Sequence, residues 1–384
     1  MNTVSAHVAV RRARLAPWTG VAPLVAFAGV LLLSWSLLPL LTGWDVPADN
    51  LEQMAWALTP DWGYAKHPPF PTWLLIGLRH VLPDGLWLTY LLGGAQVALM
   101  MTVAYRLTAE LLGRHAATLA VLFIGILTYY TQRLHYYNHN TALMCAQAIA
   151  CLAAWRALMR GGTAWWLLLG VAWGVGMLSK YQMVIGIACN VAWLAIATNA
   201  TPWRAERRDV LRGVLLAGAV AALVTLPHVV WLVRNDFPTF GYASHSLAAN
   251  LPLRARPRNI GAFLGNQVGR CVPALLLALL LIALERRADP RGDIALASDR
   301  EVHASAPGRW FLTVNAVGPF VLMTALSAVA GVDLQMHWGT AYLWMIVPLA
   351  LATRVGHRLL HVPPIRVYAG VLLVHLLTLA AHAR

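Results

Sequence analysis

Apolar segments of membrane-spanning length recur along the 384 residues, separated by short polar loops. A run of about 18 or more apolar residues predicts a transmembrane helix, since a helix satisfies its own backbone hydrogen bonds in lipid. Segment 69–82 is too polar at its ends to span and is predicted to lie at the interface. The pattern predicts an all-α integral membrane protein with about eleven spans, at 20–42, 86–112, 115–130, 141–158, 164–178, 182–199, 210–233, 261–284, 309–330, 338–353 and 366–381.

Composition agrees with this class of protein. The chain is 59% hydrophobic and only 11% charged, whereas roughly 25% of the residues in a soluble domain are charged. A net charge of +14 would point to nucleic acid in a soluble protein. Here the arginines fall mainly in short inter-span loops, where they orient the chain, so no nucleic-acid partner is predicted.

The arginine-rich loops fall on one side of the predicted alternation, which the positive-inside rule makes cytoplasmic. That side includes segment 285–309, predicted to be a flexible cytoplasmic linker. The whole chain, 1–384, is interpreted as one transmembrane domain without a soluble C-terminal domain. The opposite side receives the loops at 43–85, 131–140, 179–181, 234–260 and 331–337.

The first outer loop concentrates the scarce ionisable groups. Four of the 15 acidic residues lie between 43 and 70, together with one of only two lysines. Asp49 and Glu52 are three residues apart, so a helix beginning near Pro47 would place both on one face. Asp49 is a candidate general base and Glu52 its helper. The same spacing also fits a capping box, in which Asp49 caps the helix and Glu52 reaches back.

Lys66 and His67 precede two prolines, which restrict the backbone to an extended turn. We predict that both side chains sit at the membrane surface, where a phosphate headgroup would lie. An interfacial turn with a snorkelling lysine is the alternative.

The second outer loop, 131–140, is almost free of aliphatic residues. Arg133 is a candidate phosphate or sugar ligand, and His135, Asn138, His139 and Asn140 could bind hydroxyls. An ordinary polar hairpin is the alternative. The loop also allows a divalent metal, although its spacing matches no known ligand set. The four cysteines show no ligand spacing either, and no cofactor is firmly predicted.

The remaining cationic candidates lie in later outer loops. Lys180 is followed by Tyr181 at a span junction, and a lysine driven into hydrocarbon costs roughly 2.5–3.5 kcal/mol. It is therefore expected to face water or a negative partner such as a lipid phosphate, and a snorkelling anchor is the alternative. Arg256 and Arg258 belong to a group of arginines that runs against the positive-inside bias, which favours phosphate binding or simple headgroup contact.

Several motifs together resemble the dolichyl-phosphate-mannose protein mannosyltransferase superfamily. They are Asp49-x-x-Glu52-Gln53, then GYxKHPP at 63–69, then SKYQ at 179–182, then LPHxxW at 226–231. The resemblance covers about residues 45–250 and includes bacterial lipid A aminoarabinose transferases and lipopolysaccharide galacturonosyl transferases. One departure is that the family usually has adjacent Asp and Glu in the first loop, whereas Asn50 follows Asp49 here.

The resemblance implies a polytopic GT-C-type helical bundle with interfacial helices in the first outer loop. It implies transfer of a sugar from a polyprenyl-phosphate donor to a lipid or glycan acceptor in the bacterial inner membrane, with the active site facing the periplasm. The lipid phosphate leaves as a stable anion, so cations are needed on the donor side and a carboxylate base on the acceptor side. A transporter or flippase for a lipid-linked sugar, and a catalytically silent assembly partner, are the alternatives.

Overall fold

A computed structural model describes residues 21–42, 46–130, 135–199, 207–246, 251–288 and 305–382. Every regular element in these ranges is a helix. The first eight α-helices are α1 (Val21–Thr42), α2 (Ala48–Trp56), α3 (Phe70–Arg79), α4 (Trp87–Leu112), α5 (Arg114–Ile124), α6 (His139–Arg160), α7 (Thr163–Ser179) and α8 (Met183–Asn199). The next seven are α9 (Arg207–Arg234), α10 (Pro238–Ser246), α11 (Arg256–Ala288), α12 (Ala306–Ala330), α13 (Ile346–Leu351), α14 (Arg354–His357) and α15 (Pro364–His382).

Seven helices of the described ranges are long and apolar enough to cross a membrane: α1, α4, α6, α9, α11, α12 and α15. An eighth candidate is a pair of helical segments, Leu343–Leu351 and Arg354–His361, bent by 72° at the break between them. The shorter apolar helices are α5, α7 and α8. The protein is therefore a multi-pass, all-α membrane protein, while the predicted count of eleven spans is not confirmed.

Two predicted spans differ from continuous helices. Segment 115–130 is helical only to Ile124, and segment 338–353 begins as 3₁₀ turns at Met336–Ala341 and Leu343–Met345 before α13. The side chain of Tyr130 explains part of this irregularity, because its hydroxyl donates to the Thr340 carbonyl over 2.7 Å and accepts from the Trp344 amide over 3.0 Å. Such side-chain bonds satisfy backbone groups that an α-helix would otherwise pair internally.

Helix α6 lies at the centre of the bundle, and α4, α7 and α8 pack around it. Buried polar side chains connect α7, α8 and α12 by hydrogen bonds. Asn190 of α8 donates to Asn315 of α12 over 2.8 Å and accepts from the Trp173 indole of α7 over 3.1 Å. Interhelical hydrogen bonds of this kind stabilise helix association in lipid, where the hydrophobic effect contributes little.

The two ends of α6 differ in chemistry. Its last turns carry Arg156 and Arg160, which both pair with Glu110 of α4 at 2.7 and 2.9 Å. Its first turn, with His139 and Asn140, faces the polar loops. A helix of 22 residues is about 33 Å long, which is the thickness of a bilayer core. The predicted linker 285–309 lies largely outside the described residues, since 289–304 are not among them.

Candidate active site

A cavity of about 510 Å³ opens where the first loop meets the start of α6 and the turn between α7 and α8. Three groups that are far apart in sequence, Asp49, Lys66 and Lys180, all line it. Most of the predicted site residues therefore share one cavity. The polar part of its wall includes Asp49, Glu52, Lys66, His67, Asn138, Asn140, Lys180 and His337.

Asp49 lies in the first turn of α2, where the helix dipole favours a carboxylate. Its Oδ2 accepts a hydrogen bond from Nδ2 of Asn138 over 2.7 Å. The N-cap of α2 is Pro47, and no side chain caps the helix. The capping-box alternative is therefore wrong for Asp49 and Glu52, because the carboxylate of Asp49 points at Asn138 instead of the backbone of its own helix.

Glu52, one turn further along α2, pairs with Lys66. The Lys66 Nζ lies 2.9 Å from Oε1 and 3.2 Å from Oε2 of Glu52. Burial opposes the charge on Lys66, but the hydrogen bond and the charge of Glu52 outweigh it, so the pKa of Lys66 lies above its ordinary value. Lys66 is thus a permanent cation beside Asp49 at neutral pH.

Lys180 lies in the turn between α7 and α8, and its Nζ donates to Oδ1 of Asn140 over 2.7 Å. Burial lowers the pKa of Lys180 to about 7, because the charge of Asp49 compensates only part of the lost hydration and Lys66 adds repulsion. Among the described residues, no carboxylate lies within hydrogen-bond distance of this lysine. An anion bound in the cavity would supply the missing negative charge.

His67 contacts His139, with ring centroids 4.0 Å apart. Burial, together with the charges of Lys180 and Lys66, lowers the pKa of His67 to about 2, so the ring is neutral at physiological pH. It can accept or donate hydrogen bonds but contributes no charge to the cavity. His139 is 3% exposed, and its Nε2 has no hydrogen-bond partner among the described residues.

Asn50 faces away from the cavity and is completely buried. Its Nδ2 donates to the Thr89 hydroxyl over 2.9 Å and to the His135 carbonyl over 2.8 Å, and its Oδ1 accepts from the Tyr137 amide over 2.9 Å. The residue that departs from the family pattern therefore fixes α2 to α4 and to the loop before α6. Its amide accepts from the Tyr137 amide and donates to the His135 carbonyl, whereas a carboxylate could only accept.

The first loop is also held against α9. Nδ1 of His228 lies 2.7 Å from the Trp62 carbonyl, which can only accept, so Nδ1 carries the proton. Nε2 of the neutral ring then accepts from the Tyr181 hydroxyl over 2.7 Å. Beside this contact Gly63 packs so closely on Trp231 that a Cβ would lie 2.3 Å from the indole. These contacts bring the motifs at 63–69, 179–182 and 226–231 together.

Comparison with known proteins identifies a family match and several relatives. Residues 66–231 match the family described as dolichyl-phosphate-mannose-protein mannosyltransferase. The lipopolysaccharide core galacturonosyltransferase RgtA of Rhizobium johnstonii is 29% identical over 266 residues, which cover 67% of this chain and 50% of RgtA. RgtB, a lipopolysaccharide core galacturonosyltransferase of the same organism, is 31% identical over 208 residues, covering 52% of this chain and 40% of RgtB. The crystal structure of ArnT from Cupriavidus metallidurans bound to undecaprenyl phosphate superposes with a TM-score of 0.58, at 18% identity, over 95% of this chain and 78% of that chain.

The chain has the GT-C membrane fold of ArnT, and its segment 66–231 matches the mannosyltransferase family. This GT-C chain spans about half the length of the curated relatives it matches. The matched family segment begins at Lys66 and ends at Trp231, so it contains Lys180 but not Asp49.

Three predicted site residues, His135, Arg256 and Arg258, do not line the described cavity. A fourth, Arg133, lies outside the described residues. His135 is buried beside Tyr90, and Arg258 is exposed outside the cavity. The Arg256 guanidinium donates to the Leu251, Ala328 and Val329 carbonyls, where it closes the C-terminal end of α12. Donor binding by these residues stays a prediction.

His139 and Asn140, which follow Asn138 in the same polar loop, also line the cavity. Other lining residues were not predicted, namely Thr239, Gln335 and Trp338. Within the described part of the chain, no three ligand-type side chains lie close enough to hold a metal ion.

Proposed function

We propose that this chain transfers a sugar from a polyprenyl-phosphate donor to a hydroxyl group of lipopolysaccharide or lipid A. The observation that carries the proposal is the convergence of Asp49, Lys66 and Lys180 in one cavity at one end of the bundle. The names of the relatives support it, because RgtA and RgtB are galacturonosyltransferases of the lipopolysaccharide core and RgtD is one of lipid A.

The donor side of the cavity suits a lipid phosphate. Lys180 has a neutral partner, so its ammonium can form a charge-assisted hydrogen bond with a phosphate oxygen. Part of the remaining wall is apolar, with Val184, Ile185 and Leu326. An isoprenoid chain attached to the phosphate could follow this apolar wall out between the helices.

The acceptor side uses Asp49 as the base. The acceptor oxygen attacks the anomeric carbon while the bond from that carbon to the phosphate oxygen breaks, and the hydroxyl proton passes to the Asp49 carboxylate. The polyprenyl phosphate leaves as an anion stabilised by Lys180 and Lys66, so no strong general acid is needed. Attack from the side opposite the phosphate inverts the anomeric centre, by analogy with inverting glycosidases.

Glu52 assists by holding Lys66 in place over two short contacts. We place the protein in the bacterial inner membrane with the cavity facing the periplasm. Support comes from α6, whose arginine-bearing end lies opposite the cavity, as the positive-inside rule requires of the cytoplasmic side.

The function is tested with the purified full chain in detergent micelles, supplied with undecaprenyl-phosphate galacturonic acid and lipid A. Detergent removes the two leaflets, so a flippase for lipid-linked sugars would form no product. We expect a glycosylated lipid A and an equal amount of released undecaprenyl phosphate by mass spectrometry. No product with this donor or with undecaprenyl-phosphate aminoarabinose, combined with donor movement across vesicles, would replace the proposal by transport.

A further inference from the structure

We infer that Asn138 is a positioning residue: it fixes the orientation of the Asp49 carboxylate and leaves one carboxylate oxygen free for the acceptor proton. The inference rests on the proposed function, since it concerns the base of that reaction. It assigns Asn138 a role toward Asp49 and not toward the donor.

The amide of Asn138 can adopt only one orientation. Asn138 is the N-cap of α6, and its Oδ1 accepts from the backbone amides of Asn140 and Thr141 over 2.9 and 3.1 Å. A flipped amide would turn its NH₂ group toward these two donors and its oxygen toward a carboxylate, so both contacts would be repulsive. The helix N-terminus therefore forces Nδ2 toward Asp49.

The backbone of Asn138 is equally constrained. The Thr141 hydroxyl completes a capping box by accepting from the Asn138 amide over 3.2 Å. The Asn138 side chain is buried, with 7% exposure. The donor that meets Asp49 is thus attached to the first turn of a central helix and not to a free loop.

Asp49 is held from its own helix as well. The neighbouring Asn50 bonds to the His135 carbonyl and the Tyr137 amide, so α2 and residues 135–138 form one connected unit. Within the described residues, Asp49 Oδ2 bonds to Asn138 while Oδ1 has no hydrogen-bond partner. The free oxygen is the one available to take a proton.

Two substitutions separate positioning from helix capping. Serine and aspartate are both good N-caps, so N138S and N138D should keep the start of α6. N138S removes the donor to Asp49, and N138D replaces it with a second carboxylate. A role in capping alone predicts that both variants keep the kinetics of the parent protein.

The first test measures turnover with the polyprenyl-phosphate sugar that the parent protein uses. For N138S we expect kcat to fall on the order of 100-fold, since a misplaced catalytic group costs about that much, while the donor KM stays unchanged. Unchanged kcat in a variant with the parent's melting temperature would overturn the inference.

The second test is the pH profile of kcat/KM for N138D. Two carboxylates at hydrogen-bond distance cannot both ionise freely, so one pKa of the pair is raised and the acidic limb should move upward by about one pH unit or more. The other titratable groups around Asp49 are unchanged in this variant, namely Glu52, Lys66, His67, His139, Lys180 and His337. A profile identical to that of the parent would refute positioning even if N138S failed to fold.

The D49N variant distinguishes a failure of the proposed base from a failure of the role of Asn138. If D49N keeps full turnover, Asp49 is not the base, and Asn138 then has no catalytic group to position. If D49N is inactive while N138S and N138D behave like the parent, the base stands and only the role of Asn138 is lost.

Discussion

The Nζ of Lys180 lies 2.7 Å from Oδ1 of Asn140, so a partly buried ammonium is held by an uncharged side chain. Because burial lowers the pKa of Lys180 to about 7, the lysine is charged below neutral pH and loses its proton above it. Only the charged form attracts a phosphate. Donor binding must therefore weaken as the pH rises through the pKa of Lys180 in the donor-free protein.

We predict that affinity for a phosphodiester donor is highest below pH 7 and falls by about tenfold per pH unit above it. A diester is chosen because its own charge is constant in this range. K180M should weaken donor binding by roughly 10- to 100-fold, the value of a hydrogen bond to a charged group, and should abolish the pH dependence. Fluorescence or calorimetric titration from pH 6 to 9 measures both effects. A parent affinity that stays constant over this range would contradict the assignment.

We predict that Glu52 sets the pKa of Lys66. In E52Q the compensating charge is gone while burial remains, so the pKa of Lys66 should drop from above its ordinary value to below it. The chain has only two lysines, in peptides separated by arginines, so competitive acylation followed by mass spectrometry titrates each separately. The parent protein should show Lys180 reacting near neutral pH and Lys66 only at high pH.

The same pair contributes little to stability. The Lys66 and Glu52 side chains are 30% and 26% exposed, so solvent screens their attraction. A double-mutant cycle of E52Q and K66M should give a coupling of about 0.2–1 kcal/mol in the free energy of unfolding. A larger coupling would show that the pair is needed for folding, contrary to a role in the cavity.

G63A should displace the first loop. The added Cβ would lie 2.3 Å from Cε3 of Trp231, and forcing a methyl group into a packed contact costs about 1–3 kcal/mol. Turnover and melting temperature should both fall. W231L should restore much of the loss in the double variant, because it removes the clashing ring.

G77A is the matched control for that change. Gly77 lies at an exposed position of helix α3 in the same loop, and a Cβ there meets no atom within 4 Å. It should leave turnover unchanged and stabilise the helix by up to about 1 kcal/mol. Equal losses in G63A and G77A would mean that the contact with Trp231 is not the cause.

Restoring an acid next to Asp49 should harm the protein. In N50D the new carboxylate would face the His135 carbonyl and the Thr89 hydroxyl, which already donates to Leu86, so two donors are lost in a buried site. We expect a loss of at least about 1–3 kcal/mol in unfolding free energy and no gain in turnover. L51E places a carboxylate on an exposed position of the same helix and should be tolerated. Higher turnover in N50D at unchanged stability would show that the second acid is catalytic.

Hydropathy alone predicted the fold class, because each long apolar helix is a local property of the chain. It could not predict the break between α13 and α14 or the end of α5 at Ile124. In that region hydroxyls such as that of Tyr130 bond to backbone groups more than 200 residues away. The proximity of Asp49, Lys66 and Lys180 could be predicted because the positive-inside rule places their loops on the same side of the membrane.

The hydrogen-bond partners of Asp49 and Asn50 could not be predicted from the sequence. Asn138 is 89 residues from Asp49 and looked like a sugar ligand, and Asn50 looked like a departure from the family's acid. Each of the two side-chain amides donates and accepts hydrogen bonds at the same time, and the groups to which they donate are distant in sequence. His139 was predicted only as a possible hydroxyl ligand, because its position in the cavity wall depends on how α6 begins.

The central claim concerns Asp49, and its direct measurement is single-turnover sugar transfer by D49N. The amide of asparagine keeps the size of the side chain but cannot take a proton, so transfer should fall by about 100- to 10,000-fold, the range that general-base catalysis supplies. Donor affinity and melting temperature should stay close to those of the parent. Transfer at a near-parental rate by folded D49N, with the same donor, would contradict the account.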